Sequence, residues 1–367
     1  MPRTEDAMLA QFARRSVVEL EPYGWEAPNA VIAARHNLPL ADVLRFDLNT
    51  VAARPRWWQA AMTTARDDDG PQEYADPSYS ELTRLLADYC GVDQAQIMVG
   101  AGADEVLSII AQTFLDPGDA VAVTAPTYPL HAIRPQQLGA VVRTCPLGPG
   151  FAPDVEALLD AAAGAKLLYI CTPNNPTGNA VAPDVIERIV AGSPCPVVVD
   201  EAYAEFAGWS AIPMLARYPQ LIVVRTMSKA FALAGMRLGY AIARAEAIEL
   251  LQRVRPTNSI SVVTARVAAA ALRDLPAMEA NVADIADARE PLAAGLRAAG
   301  ARVYPSVTNF LLADWGGPTA AQEVASRLER RGLVVRNYAQ HPWLPGHLRI
   351  TVRSPEQNAR LLSAIRA

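Results

Sequence analysis

The sequence predicts an α/β protein: a large domain built on a mostly parallel sheet sandwiched by helices, followed by a smaller α+β domain. Three observations carry this reading. Short β-branched runs such as Pro196–Asp200 and Leu221–Arg225 read as strands buried on both faces. From about Gln96 such runs alternate with stretches of helical apolar spacing, the pattern of a sheet covered by helices. After about Arg244 the alternation gives way to helical periodicity and then to a mixed tail of strands and helices.

The elements follow in order. Residues 1–45 read as an arm, 46–250 as the large domain and 251–367 as the small one. Ile97–Val99 is a short strand, followed by Gly100–Gly102 and a helix over Ala103–Leu115 with Val106, Leu107, Ile110 and Phe114 on one face. The turn Asp116–Asp119 leads to strands at Ala120–Ala125 and Val141–Leu147 with a helix between them. Leu167–Cys171 is the next strand, and Val185–Val190 suggests a helix. Glu246–Ala299 is helical, with interruptions near Pro256–Ile260 and at Pro276. The tail reads as strands at Asn309–Asp314, Leu333–Arg336 and Leu348–Val352, with helices near Ala320–Arg331 and from Pro355.

The chain has 367 residues, 51% apolar and 19% charged, a balance that suits a globular protein with a large core. A formal net charge of −5 argues against a broad nucleic-acid-binding face. No apolar run reaches membrane-spanning length, and Met1–Ser16 resembles neither a signal peptide nor an anchor. Cys90, Cys145, Cys171 and Cys195 form no CxxC pair, so no metal site is expected and a reducing, cytoplasmic setting is. Of 33 basic residues only two are lysine, Lys166 and Lys229. Amine chemistry therefore has few places to occur.

Lys229 follows a buried-type strand, in Ser228-Lys229-Ala230-Phe231-Ala232-Leu233-Ala234-Gly235-Met236-Arg237. Ligands of open α/β sheets gather outside the carboxyl ends of strands, where a desolvated lysine can form a Schiff base. Taken alone it reads as a surface lysine. Ser228 and Arg237 are the residue types that grip a phosphate, although Arg237 alone could be an ordinary surface arginine. Asp200 ends another strand, in Asp200-Glu201-Ala202-Tyr203. It could pair with a protonated pyridine nitrogen, or equally cap a helix or bind magnesium. Tyr203 and Asn175, the latter in Asn174-Asn175-Pro176-Thr177-Gly178, could donate to an oxygen on the same ring. Gly100-Ala101-Gly102-Ala103-Asp104 offers a helix start to a phosphate, and Tyr128 could stack on a flat ring or simply pack in the core. The glycine turn is no dinucleotide fingerprint, because Glu105 stands where a third glycine would. Five strand-end segments thus carry, in order, what pyridoxal phosphate needs.

These segments resemble fold-type I pyridoxal-phosphate enzymes of the class I/II aminotransferase group, from about residue 22 to the C-terminus. The most specific are NNPTG at 174–178, DEAY at 200–203 and SKAFALAGMRLG at 228–239. Within the group the sequence is most similar to histidinol-phosphate aminotransferases, through GADE at 102–105, SKAFALAG, and GLVVRNY with LPGHLRITV at 332–352.

The resemblance implies a cofactor, pyridoxal 5'-phosphate, and a role for each residue. Lys229 would carry the cofactor and shuttle the substrate proton. Asp200 would pair with the ring nitrogen, Asn175 and Tyr203 with the ring oxygen, and Tyr128 would cover one face. Ala103, Asp104, Ser228 and Arg237 would hold the phosphate. Tyr74 and Tyr23 match tyrosines that reach the partner subunit's site, implying a homodimer with shared active sites. Arg349, with Arg336 as companion, matches the arginine that receives the substrate's anionic end. The implied reaction is a ping-pong transfer from histidinol phosphate to 2-oxoglutarate. An aromatic amino acid donor is the runner-up, and a threonine-phosphate-type decarboxylase is a third option. A transcription regulator with an aminotransferase-like domain would need a DNA-binding module for which residues 1–45 leave little room.

The sequence also departs from the family. Asp47-Leu48-Asn49-Thr50-Val51-Ala52-Ala53-Arg54-Pro55 replaces an Asn-containing loop with prolines, Pro256-Thr257-Asn258 lacks a tyrosine, and Arg353 stands where glycine is frequent. Trp57, Trp58 and Trp343 add bulk near segments that border the substrate.

Overall fold

A computed structural model describes residues 7–21, 24, 27–51 and 72–366. Twelve strands are described: β1 Leu44–Phe46, β2 Ile97–Gly100, β3 Ala120–Ala125, β4 Val141–Pro146, β5 Leu167–Cys171, β6 Val197–Asp200, β7 Leu221–Thr226, β8 Gly239–Ile242, β9 Arg302–Val303, β10 Phe310–Asp314, β11 Leu333–Tyr338 and β12 His347–Thr351. They form two sheets, one in the order β2-β8-β7-β6-β5-β3-β4 and one in the order β1-β11-β12-β10-β9.

In the larger sheet, β4, β3, β5, β6 and β7 run parallel, and β8 alone is reversed against both β7 and β2. The carboxyl ends of β3, β5, β6 and β7 therefore share one edge. Every residue of β2, β3, β5, β6, β7 and β8 is buried, whereas the edge strand β4 is largely exposed. This is the consequence of covering both faces with helices such as Ala103–Phe114 and Pro183–Gly192.

β8 is the strand the sequence does not announce. Gly239-Tyr240-Ala241-Ile242 is short, begins with glycine and lacks the β-branched density of its neighbours. Gly239 is required for proximity: a Cβ there would lie 2.2 Å from the Ala103 backbone nitrogen. The bare strand end lets the start of helix Ala103–Phe114 rest on it.

The smaller sheet takes its first strand from far upstream. β1 pairs in parallel with β11, Leu44 opposite Leu333 and Phe46 opposite Val335. The divide expected at residue 46 thus differs from the division between sheets, since the end of the arm region joins the smaller one. The chain reaches that sheet through the helix Leu275–Ala298, whose Leu292 and Leu296 are buried with Leu348 and Leu361. Pro276 lies in its first turn, where no N–H is missed. Among the described residues no helix is long and apolar enough to cross a membrane.

Candidate active site

The carboxyl edge of the larger sheet opens into a cavity of about 300 Å³. Ala103, Asp104, Tyr128, Asn175, Asp200, Tyr203, Ser228, Lys229 and Arg237 all line it. Nine residues spread over more than a hundred positions meet because β2, β3, β5, β6 and β7 each end there.

Asp200 is buried at the end of β6 and faces the cavity. Its Oδ1 accepts from the Ala202 N–H at 3.1 Å, and its Oδ2 lies 2.8 Å from His131 Nε2. His131 sits on the helix Leu130–Gln137 and stacks on Tyr169 of β5, with ring centroids 5.4 Å apart. His131 is not legible in the sequence. A lone histidine after Pro129-Leu130 carries no motif, and its partner lies 69 residues downstream.

Lys229 follows β7 on an irregular turn closed by the Ala232 N–H donating to the Lys229 carbonyl at 2.9 Å. Its Nζ lies 5.6 Å from the centroid of the Tyr203 ring. Desolvation, then the positive charge of Arg349, pushes its pKa down to about 8, against a partial counter-pull from Asp104.

One end of the cavity is shaped for an anion. Gly102 precedes the helix Ala103–Phe114 with φ of +85°, and a Cβ there would lie 2.5 Å from Arg237 Nη2. The missing side chain lets the guanidinium close over the helix start, where backbone N–H groups point outward. Arg237 is itself left-handed, φ +51°, and bonds Asp104 Oδ2 at 3.2 Å. Tyr128 donates to Asp104 Oδ1 at 2.7 Å. Ser228 N–H donates to Thr226 Oγ1 at 3.1 Å, setting the turn that carries the Ser228 hydroxyl.

At the other side a cavity of about 150 Å³ shares Tyr128, Asn175, Tyr203 and Lys229 and adds Arg336, Tyr338 and Arg349. Arg336 and Arg349 stand opposite each other in the register of β11 and β12. Arg349 is buried; it donates to Asn175 Oδ1 at 2.6 Å and to the Asp47 carbonyl at 2.5 Å. Tyr203, also buried, accepts from Asn49 Nδ2 at 2.9 Å and packs edge-on against Phe310. Burial raises the Tyr203 pKa, so the phenol stays protonated.

One residue falls elsewhere. Tyr74 lines neither cavity; it is 86% exposed beside Asn258, Ile260 and Ser261. Tyr23 lies outside the described residues, as do Trp57 and Trp58. Cys145, Cys171 and Cys195 are buried with pKa values raised by desolvation, and Cys90 is half-buried.

An anion cradle, a buried carboxylate and a desolvated lysine around one cavity fit a phosphorylated pyridine aldehyde. Comparison with known proteins decides the family, because residues 42–365 match the model for aminotransferase class I and II. The chain belongs to the class I and II aminotransferases. It is a pyridoxal-phosphate-dependent transaminase. This aminotransferase is 36% identical to a histidinol-phosphate aminotransferase of Roseiflexus castenholzii, over 98% of this chain and 99% of that one. Its fold matches the histidinol-phosphate aminotransferase of Sinorhizobium meliloti in complex with pyridoxal-5'-phosphate, with TM-score 0.87 and 26% identity over 96% and 97% of the two chains. It also matches a single mutant of Thermus thermophilus aspartate aminotransferase, with TM-score 0.81 and 26% identity over 96% and 98%. Enzymes named for different donors thus share the scaffold, and the donor must be argued from side chains.

Proposed function

We propose that this aminotransferase moves the amino group of histidinol phosphate to 2-oxoglutarate in two half-reactions at one site, as a homodimer. The observation that carries the donor is the Arg336–Arg349 pair. Two guanidinium groups in register line the cavity that also contains Lys229. A phosphate monoester presents more charge and more acceptor oxygens than a carboxylate, and forked donors match it. The whole-chain relative from Roseiflexus castenholzii, named for the same donor, supports the choice.

Pyridoxal phosphate, when bound, supplies the electron sink that makes the donor's Cα proton removable. The chain's residues do the rest. Arg237, Ser228 and the backbone at Ala103 and Asp104 would hold the cofactor phosphate. Asp200, its other oxygen occupied by His131, would keep a proton on the ring nitrogen. Asn175 and Tyr203 would donate to the ring oxygen, and Tyr128 would cover one face. Lys229 would serve as the base that holds and moves the donor's Cα proton; a pKa near 8 suits a base working near neutrality. 2-Oxoglutarate would then use the same arginines through its carboxylates. Tyr74, exposed and away from its own cavity, would serve a partner subunit's site, and Tyr23 would act there too.

The test is the change in the bound cofactor's visible absorption on mixing with a single amine and no acceptor. Histidinol phosphate should bleach it at far lower concentration than phenylalanine, tyrosine or histidine. A response to phenylalanine or tyrosine but not to histidinol phosphate would install the aromatic donor instead. Carbon dioxide release without a bleached cofactor would install the decarboxylase.

A further inference from the structure

The loop after β1 lies against both the small sheet and Tyr203, and its centre is Asn49. Asn49 is buried and left-handed, φ +53°, a conformation that asparagine tolerates better than most residues. It is fixed from three sides. Its N–H donates to Thr351 Oγ1 at 3.0 Å, its carbonyl accepts from Asn309 Nδ2 at 2.9 Å, and its Oδ1 accepts from the Thr351 hydroxyl at 3.3 Å. Two residues earlier, Asp47 is clamped by Arg45 through both carboxylate oxygens.

These contacts set which end of the Asn49 amide meets Thr351 and which meets Tyr203. Thr351 has one hydroxyl proton. One of its two lone pairs accepts the Asn49 N–H, and the proton is donated to Asn49 Oδ1. The carbonyl end of the amide is thereby occupied, and the NH₂ end faces Tyr203, 2.9 Å away. An amide NH₂ only donates. The Tyr203 oxygen must accept it, so the phenol's own proton is left for the cavity that Tyr203 lines.

We propose that Asn49, oriented by Thr351, is a positioning residue that commits the Tyr203 hydroxyl to donate into the cofactor cavity. The inference rests on the proposed reading that Tyr203 faces the cofactor's ring oxygen. It makes the smaller sheet, through β12, part of the cofactor's hydrogen bonding. Without this fixation the phenol could spend its proton on the loop and present only lone pairs to an anionic ring oxygen.

The readout is the pH midpoint of the bound cofactor's visible absorption in the holoenzyme with no substrate. A donor to the ring oxygen stabilises the less protonated chromophore, so losing the donor raises the midpoint. The charged neighbours of the phenol, Arg349, Asp200 and Lys229, are unchanged in every variant, and Asn49→Asp alone adds a charge, so Thr351→Val is the comparison that isolates the hydrogen bond.

Tyr203→Phe should raise the midpoint. Thr351→Val, which keeps shape and adds no charge, should raise it by part of that amount, and Asn49→Asp, which offers an acceptor to the phenol, by more than Thr351→Val. In the Tyr203→Phe background, Thr351→Val should add nothing. A midpoint moved by Tyr203→Phe but untouched by both Thr351→Val and Asn49→Asp would overturn the role of Asn49 alone. A Thr351→Val shift of equal size in both backgrounds would do the same. A midpoint indifferent to Tyr203→Phe would overturn the placement of Tyr203 and the inference with it.

Discussion

Asp200 and His131 are joined by a 2.8 Å contact between two buried side chains, one ending β6 and the other on the helix Leu130–Gln137. The imidazole stacks on Tyr169, so it cannot turn away without breaking a second contact. One oxygen of Asp200 is thus fixed, together with the plane of its carboxylate.

Truncating His131 to Ala should therefore act through Asp200. The lost partner of a buried polar group costs about 1–3 kcal/mol. His131→Ala should lower thermal stability by that order and weaken cofactor retention. His131→Gln, which can still donate, should recover part of both. Melting temperature and cofactor release on dialysis measure the two effects.

The cradle at the helix start should be intolerant of a single methyl group. Gly239→Ala would set a Cβ 2.2 Å from the Ala103 nitrogen, and backbone cannot yield cheaply there. Gly102→Ala would meet Arg237 and adopt φ of +85°, a strain on the order of 1–3 kcal/mol. Both should weaken binding of pyridoxal phosphate far more than binding of unphosphorylated pyridoxal. Equal losses for the two compounds would place the phosphate elsewhere.

Lys229 should capture the cofactor with a pH dependence set by its own titration. Only the neutral amine is nucleophilic. With a pKa near 8, roughly a tenth of it is neutral at pH 7, against fewer than about one in a thousand for an ordinary lysine. The rate at which cofactor-free protein binds pyridoxal phosphate should rise about tenfold per pH unit below pH 8 and flatten above. The sign for stability agrees: the folded chain loses this proton before the unfolded chain does, so cofactor-free protein should gain stability between pH 8 and the ordinary lysine range. A capture rate still climbing steeply at pH 10 would contradict it.

Arg349→Lys should cost on the order of 10²-fold or more in kcat/KM, because an ammonium cannot hold Asn175, Asp47 and a substrate anion together. Arg336→Gln should chiefly erase the preference for a phosphorylated donor. Steady-state kinetics with histidinol phosphate and histidinol separate the two.

Much of this site is legible in the sequence because each residue closes a strand that has its own pattern. Asp200 ends a run of valines, Asn175 stands in a turn of proline and glycine, and Lys229 is one of two lysines. What was not legible is pairing across distance. Nothing local marks His131 as the partner of Asp200, or Asn49 as that of Tyr203, 154 residues away. Phe46 reads locally as the start of the large domain because its pairing with Val335 is invisible until the chain folds.

The measurement that bears most directly on the account is the covalent site of the cofactor. The purified protein should be yellow, borohydride should bleach it, and peptide mapping should find the reduced adduct on Lys229 and not on Lys166. Lys229→Ala should take up no covalent cofactor. A colourless protein indifferent to added pyridoxal phosphate, or an adduct at Lys166 alone, would contradict the account at its centre.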